Sequence, residues 1–215
     1  MSARPGPFVN DPYRRIARYY DALVERPNAV MRKIGLVMVP PKDGMTVLEV
    51  GCGTGANLVL YQRAGCEVAG VDLSPSMLEV ARAKLGDTAD LRLCDAADMP
   101  HRDGSFDLVV AFLTLHEMPP EVRESVMDEM VRGAGVDGRL LLLDVHPGPL
   151  RFPKGWMFKS GILLLEVSAG REHFRNYRDF LARHGVRGLI AQRSLTVVSE
   201  KVLSGGNVLA CELRR

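Results

Sequence analysis

Cysteine is scarce in this 215-residue chain. The four present, Cys52, Cys66, Cys94 and Cys211, form no C-x-x-C pair and stand beside no histidine at metal-ligand spacing. A disulfide scaffold or zinc ribbon is thereby excluded, and reduced thiols with no metal site are the expectation. Long apolar runs are missing as well: stretches such as 108–115 and 162–165 fall far below the roughly 18 residues of a membrane-crossing helix. Met1 to Pro7 contain no apolar core of a secretory signal, so a cytoplasmic location is the default expectation. Nor is there a strong charge of one sign. A net charge of +2, without any Asn-Pro-Pro-Tyr motif for base amino groups, argues against nucleic-acid modification.

What is present suits one globular domain, with 47% hydrophobic and 25% charged residues, a balance that disordered, collagen-like and coiled-coil chains do not show. The charge is uneven along the chain. Residues 1–35 carry 7 basic and 3 acidic groups, residues 171–215 carry 9 and 4, and the segment between them 12 and 19. Such basic ends can lie over an anionic ligand or a membrane surface, or form ordinary solvated helix faces.

From Thr46 onward, short β-rich runs alternate with helical patterns, the signature of βαβ units and a mostly parallel sheet. Strands are predicted at 46–50, 67–71, 90–93, 106–113 and 138–145, several apolar almost throughout, as in a doubly wound α/β sheet covered on both faces. Ser74-Pro75 and Gly86 frame a helix over 75–85. Pro119-Pro120 opens another, with Val122, Val126, Met127, Met130 and Val131 at helical spacing. Residues 147–170 break the alternation and read as an insertion or lid; 156–167 would either cover an acceptor or pack as an ordinary helix. A helix is predicted over 171–184. Ser204-Gly205-Gly206 then separates 194–203 from 207–213, an antiparallel hairpin that would bring the sheet to seven strands. The whole reads as one domain: a helical cap over 1–40, a cofactor-binding core over 41–145, a lid with substrate-side helices over 146–185 and the closing hairpin over 186–215.

The chemistry centres on Glu49-x-Gly51-x-Gly53-x-Gly55, a strand running into a glycine turn and then a helix. Glycine permits the sharp bend and close backbone approach to a ligand, and the helix start offers unpaired N–H groups. Read loosely, Gly51, Gly53 and Ala56 also satisfy G-x-G-x-x-A, so the loop alone leaves NAD and other adenosyl ligands open. Asp72 ends the second strand 21 positions after Gly51, placed for ribose hydroxyls. Asp95 ends the third, where an adenine amino group would be met, with Met99 as an apolar partner for the ring.

Taken together, these residues resemble class I S-adenosylmethionine-dependent methyltransferases. Glu49 to Gly55 look like the first motif, Val71 to Met77 the second, Asp95 with Ala96 the third, and Phe106 to Val110 the fourth strand, in order and correctly spaced over about 40–145. The ends of the chain resemble the branch that C-methylates ubiquinone and menaquinone precursors: Ile16 to Asp21 look like the short element folded over the cofactor, and Arg171 to Tyr177 stand where the helix after the lid belongs. The resemblance implies a Rossmann-like fold and S-adenosylmethionine as cofactor. Gly51, Cys52, Gly53 and Gly55 would line the methionine moiety and Glu49 would approach its amino group. Asp72 would hold the ribose and Asp95 with Ala96 the adenine, Leu73 and Met77 would also border the cofactor, and Tyr20 and Phe112 would close around the sulfonium.

Methyl transfer is an in-line displacement, so alignment and exclusion of water do much of the work and a base is optional. Where the acceptor must lose a proton, His116 and His146, after the fourth and fifth strands, are the candidates; loop hydrogen bonding is their structural alternative. His173 and Tyr177 on the last helix are further ones. A small or lipid-like acceptor, quinone-type C-methylation foremost, is the expected substrate, with N-, O- or S-methylation of a metabolite or phospholipid amine as the alternative. No nucleic-acid partner, at most peripheral membrane contact and a possible homodimer complete the expectation. Two rival classes are an NAD-dependent oxidoreductase, for which no Y-x-x-x-K arrangement exists in the sequence, and a non-catalytic cofactor-binding protein.

Overall fold

The computed structural model describes residue 11 and residues 13–215, and of residues 23–27 the backbone alone; the expected cap over 1–40 therefore lies partly outside the described residues. Seven strands form one sheet: β1 (Thr46–Val50), β2 (Glu67–Asp72), β3 (Asp90–Leu93), β4 (Phe106–Phe112), β5 (Ala134–Val145), β6 (Thr196–Leu203) and β7 (Val208–Arg214). Their order is β3-β2-β1-β4-β5-β7-β6, with β7 antiparallel to both β5 and β6 and every other pair parallel. This is the expected Rossmann-like sheet with its antiparallel hairpin. The strand order reverses between β1 and β4, the place where open α/β sheets bind ligands.

Alternate side chains of the central strands feed two hydrophobic layers. Leu48, Val109, Ala111 and Leu142 face one side, and Val47, Leu108, Val110 and Leu141 the other. Helices α1 (Ala17–Met38), α2 (Leu58–Arg63) and α3 (Pro75–Leu85) cover the second layer; α4 (Pro120–Gly133), α6 (Arg171–Ala182) and α7 (Val186–Ala191) cover the first. Helix ends follow local chemistry. Ser74 Oγ accepts from Met77 N at 3.1 Å, Pro75 occupies the first turn, and Gly86 at φ +70° stops α3. Strand β5 begins four residues earlier than its apolar run suggests, because Ala134 already pairs with Phe106, across an irregularity from the regular register that starts at Leu108 and Arg139. Strand β4 stops one residue short, at Phe112, since Leu113 takes φ +52° and turns out of the sheet.

The segment expected to be hairpin from residue 186 begins instead with α7, β6 starting only at Thr196. Residues 147–170 fold as a helix, α5 (Lys154–Ser168), at the carboxyl ends of the parallel strands. Its amino-terminal turn is seated on the β6–β7 turn: a Cβ on Gly155 would stand 2.3 Å from Gly205 O, and Asn207 Nδ2 donates to Gly155 O at 2.7 Å. The helix is inverted. Gly155, Lys159, Ile162 and Glu166, spaced as one helical stripe, turn toward the protein. Trp156, Met157, Leu164 and Leu165 remain in solvent, 59–72% exposed.

Candidate active site

At the switch point between β1 and β4 lies a cavity of about 480 Å³. Its floor is the glycine turn after β1. Gly51, at φ +64°, is irreplaceable, since a Cβ there would meet Thr114 Oγ1 at 2.2 Å. Glu49, 3% exposed, comes up beneath the turn from the end of β1. One of its oxygens accepts from Asn57 Nδ2 at 3.1 Å, while Oε2 is buried without a hydrogen-bond partner among the described residues. Burial pushes its carboxyl up to about 8, against the pull of Asn57 and Arg32. A buried carboxylate oxygen with no donor, facing a cavity, calls for a cationic or N–H group from a ligand.

Asp72 at the end of β2 shapes the adjoining wall. It accepts from Gly53 N and Ser74 N, each at 2.8 Å, tying the glycine turn to the start of α3. Burial raises its carboxyl while those backbone donors oppose the rise. Asp95, Ala96, Leu73, Met77, Cys52 and Phe112 complete the lining expected from sequence. Tyr20, driven up to about 12 chiefly by burial, stands edge-on to Tyr13 with ring centroids 5.9 Å apart. The segment before and within α1 is strapped across the cavity. Asp11 accepts from Ser74 Oγ and Ser76 N at 2.8 and 3.1 Å, and Asp21 takes a 2.6 Å bond from Thr54 Oγ1 and pairs with Lys84.

Gly55 is the expected cofactor residue that does not line the cavity. It turns away at φ +70°, and a Cβ there would press on Leu85 and Ala81, so its role is close packing of the turn on α3. Met99 also lies elsewhere, in the core beside Phe106 and Gly133. Neither His116 nor His146 is among the lining residues. His146 is buried past β5, its backbone N–H donating to Asn207 O at 2.7 Å and its side chain near Arg187 and Glu200. Sequence reasoning missed Tyr13, Arg32 and Asn57, and undervalued Glu117. Arg32 Cζ sits 5.4 Å from the centre of the Phe112 ring. Glu117 faces the cavity and accepts from Tyr13 O–H at 3.3 Å. The only signal for these was the helical spacing of residues 28 and 32 and the position of Glu117 after β4.

Comparison with known proteins resolves what the glycine turn left open. Residues 47–138 match the family described as "Methyltransferase domain". The chain is 36% identical to phosphatidylethanolamine N-methyltransferase of Cereibacter sphaeroides over 77% of each chain. It belongs to the class I S-adenosylmethionine-dependent methyltransferases. A demethylmenaquinone methyltransferase of Desulfitobacterium hafniense is 27% identical over 94% of this chain and 87% of that one. Methyltransferase GfsG of Streptomyces halstedii is 32% identical over 76% of this chain, which spans 59% of that protein's length. The fold likewise matches an S-adenosylmethionine-dependent methyltransferase from Mesorhizobium loti, with a TM-score of 0.62 at 17% identity over 85% of this chain and 96% of the other.

The methyltransferase cavity fits its cofactor chemically. Glu49 Oε2 lacks a donor that an ammonium supplies, and a Cβ on Gly53 would have nothing within 4 Å, which leaves room for a ligand against the turn. Beside this cavity, on the far side of Glu117, the methyltransferase carries a second polar centre beneath α5. His116, 5% exposed in the 310 turn Leu115–Glu117, holds Asp144 Oδ1 at 2.6 Å through Nδ1. Its Nε2 stands 3.4 Å from Glu166 Oε1, and His173 Nε2 lies 2.9 Å from Glu166 Oε2. Burial opposes charge on His116, but Asp144 and Glu166 hold the imidazole well above its ordinary range. Burial likewise opposes charge on Glu166, yet the two histidines hold its carboxyl down at about 2. Tyr177 closes the cluster, accepting from Lys159 Nζ at 2.7 Å.

Proposed function

We propose that this methyltransferase transfers the methyl group of S-adenosylmethionine to a hydrophobic, lipid-like acceptor, quinone-type C-methylation being the leading reading. The observation that carries it is the inverted helix α5, whose large apolar side chains stand in solvent at the carboxyl edge of the sheet beside the cofactor cavity. An apolar surface of this kind next to a site serves an acceptor that partitions into lipid. Arg151, Lys154 and Arg171, exposed at its two ends, suit an anionic membrane surface. Among the described residues no helix is long and apolar enough to cross a membrane, so contact of this sort is peripheral.

The cofactor supplies an electrophilic methyl on a sulfonium. Glu49 meets the amino group of the methionine moiety, with Arg32 beside it, the glycine turn cradles the chain, Asp72 takes the ribose hydroxyls and Asp95 the adenine edge. Tyr20 and Phe112 offer aromatic faces to the cation. The straps at Asp11 and Asp21 exclude water. Glu117, held by Tyr13 at the cavity wall, is placed to receive the acceptor's proton, a position that His116 and His146 do not share.

The 36% relative named as a phospholipid-amine methyltransferase favours a second reading, N-methylation of a phospholipid head group. Incubating the protein with methyl-labelled S-adenosylmethionine and a membrane extract, with Asp72→Ala as control, separates the two. Label in the quinone fraction supports the first and label in phospholipid the second. Label only in aqueous metabolites removes both, and no enzyme-dependent label removes methyl transfer to any component of that extract.

A further inference from the structure

The polar centre beneath α5 lies outside the cofactor cavity and is not consumed by the reaction above. Three elements converge there: the 310 turn after β4 brings His116, the last turn of α5 brings Glu166, and the first turn of α6 brings His173. One nitrogen or oxygen from each lies within 4.8 Å of the others. The gap of 3.4 Å from His116 Nε2 to Glu166 Oε1 matches the separation of about 3.4 Å between ligands placed about 2.1 Å from one tetrahedral ion, and that of 2.9 Å from His173 Nε2 to Glu166 Oε2 is somewhat shorter. We propose that His116 Nε2, His173 Nε2 and the Glu166 carboxylate form a binding site for one divalent transition-metal ion of the zinc class, joining α5 to the wall of the active site.

Two further observations support this site. The bond from His116 Nδ1 to Asp144 leaves Nε2 as the nitrogen aimed at Glu166; a carboxylate behind a histidine is the usual orienting partner of a metal ligand. Glu166 is 7% exposed, and its Oε2, 2.9 Å from His173 Nε2, makes no hydrogen bond of good geometry among the described residues, so the oxygen is directed into the centre. Glu166, Asp144 and Glu117 surround the two imidazoles, with Lys159 the nearby ammonium. Arg123 is committed to Asp179 and to the carbonyls of Leu115, Met118 and Asn176. A metal ion bound there would take the place of the proton at each Nε2. The donor set of two imidazoles and one carboxylate suits zinc or iron(II) rather than magnesium or calcium.

The rival arrangement is a metal-free ion-pair cluster in which two imidazoliums flank Glu166. Chelator-stripped protein titrated with Zn²⁺ alone against a chromogenic chelator distinguishes them without reference to methyl transfer. Uptake of one equivalent per chain is expected, weakened at least tenfold in His173→Gln and Glu166→Gln and roughly 10–100-fold in Asp144→Asn, with His184→Gln unchanged. Co²⁺ in place of Zn²⁺ is expected to give the visible absorption of a low-coordinate site. Histidine ¹⁵N spectra of the unmutated protein guard against variants that fail to fold: zinc is expected to move the ring nitrogens of two histidines alone. No stoichiometric uptake by the unmutated protein, uptake unaffected by His173→Gln and Glu166→Gln, or zinc-induced shifts on other histidines would each overturn the site.

Discussion

The two halves of the active-site edge are built on opposite principles. Around the cofactor cavity, apolar strand residues are buried and polar groups turn to a ligand: Val47, Leu48 and Val50 are wholly enclosed while Glu49 between them looks into the cavity. Around α5 the arrangement reverses, with Lys159 and Glu166 turned in and Trp156, Leu164 and Leu165 turned out. A soluble helix with its polar stripe inward is unstable in isolation as a surface element, because the hydrophobic effect favours the other orientation. It is held by specific polar contacts at one end and backbone fit at the other. One half is thus a general α/β solution to holding a nucleotide-like ligand, and the other is the half to which the proposed function assigns the acceptor.

Stability measurements sharpen that contrast most. Leu48→Ala, which opens a cavity in a fully buried layer, is expected to cost about 2–5 kcal/mol in denaturant unfolding, whereas Leu164→Gln on exposed α5 is expected to change stability by less than about 0.5 kcal/mol. Equal costs at the two positions would mean that α5 is buried in solution. Next in size, Asp72→Ala removes the acceptor of two backbone N–H groups and of the ribose. Calorimetry is expected to show S-adenosylhomocysteine affinity falling by about 100-fold, the scale of charged hydrogen bonds.

A smaller and more diagnostic effect concerns Glu49. Free protein holds its proton up to about pH 8, and a ligand ammonium stabilises the ionised form, so binding below that pH releases a proton. Affinity for S-adenosylhomocysteine is then expected to rise roughly tenfold per unit as pH climbs toward about 8, and to lose this slope in Glu49→Gln. The same carboxyl has a raised folded-state pKa, so its contribution to stability declines between its ordinary value of 4.5 and about 8 and is flat above. Smallest of all, Trp156→Ser with Leu164→Gln is expected to weaken sedimentation with anionic vesicles several-fold while leaving S-adenosylhomocysteine affinity unchanged. Undiminished vesicle binding would detach α5 from any membrane role.

What could be read from the sequence divides along the same line. Strands β1 to β4, the glycine turn, Asp72 and Asp95 were legible because each depends on neighbours within a few positions: apolar runs, turn residues and a strand end. Gly55 was assigned to the ligand although its φ serves α3, because periodic glycines look alike in sequence whether they face a ligand or a helix. Helix α5 gave no readable period, since its outward residues are as apolar as a core. His116, Asp144, Glu166 and His173 span 58 positions and meet only through the packing of α5 and α6, a juxtaposition with no local pattern. Glu117 and Tyr13 find each other across 104 positions for the same reason.

The seat of Gly155 on Gly205 gives α5 a fixed fulcrum. From there to Glu166 is eleven residues, about 16 Å along the helix axis, so a few degrees of tilt at the glycine pair becomes an ångström or more of travel at the carboxylate. The helix behaves as a lever pinned at its first turn and latched at its last. Whatever engages the outward apolar side chains between those points pushes directly against the latch.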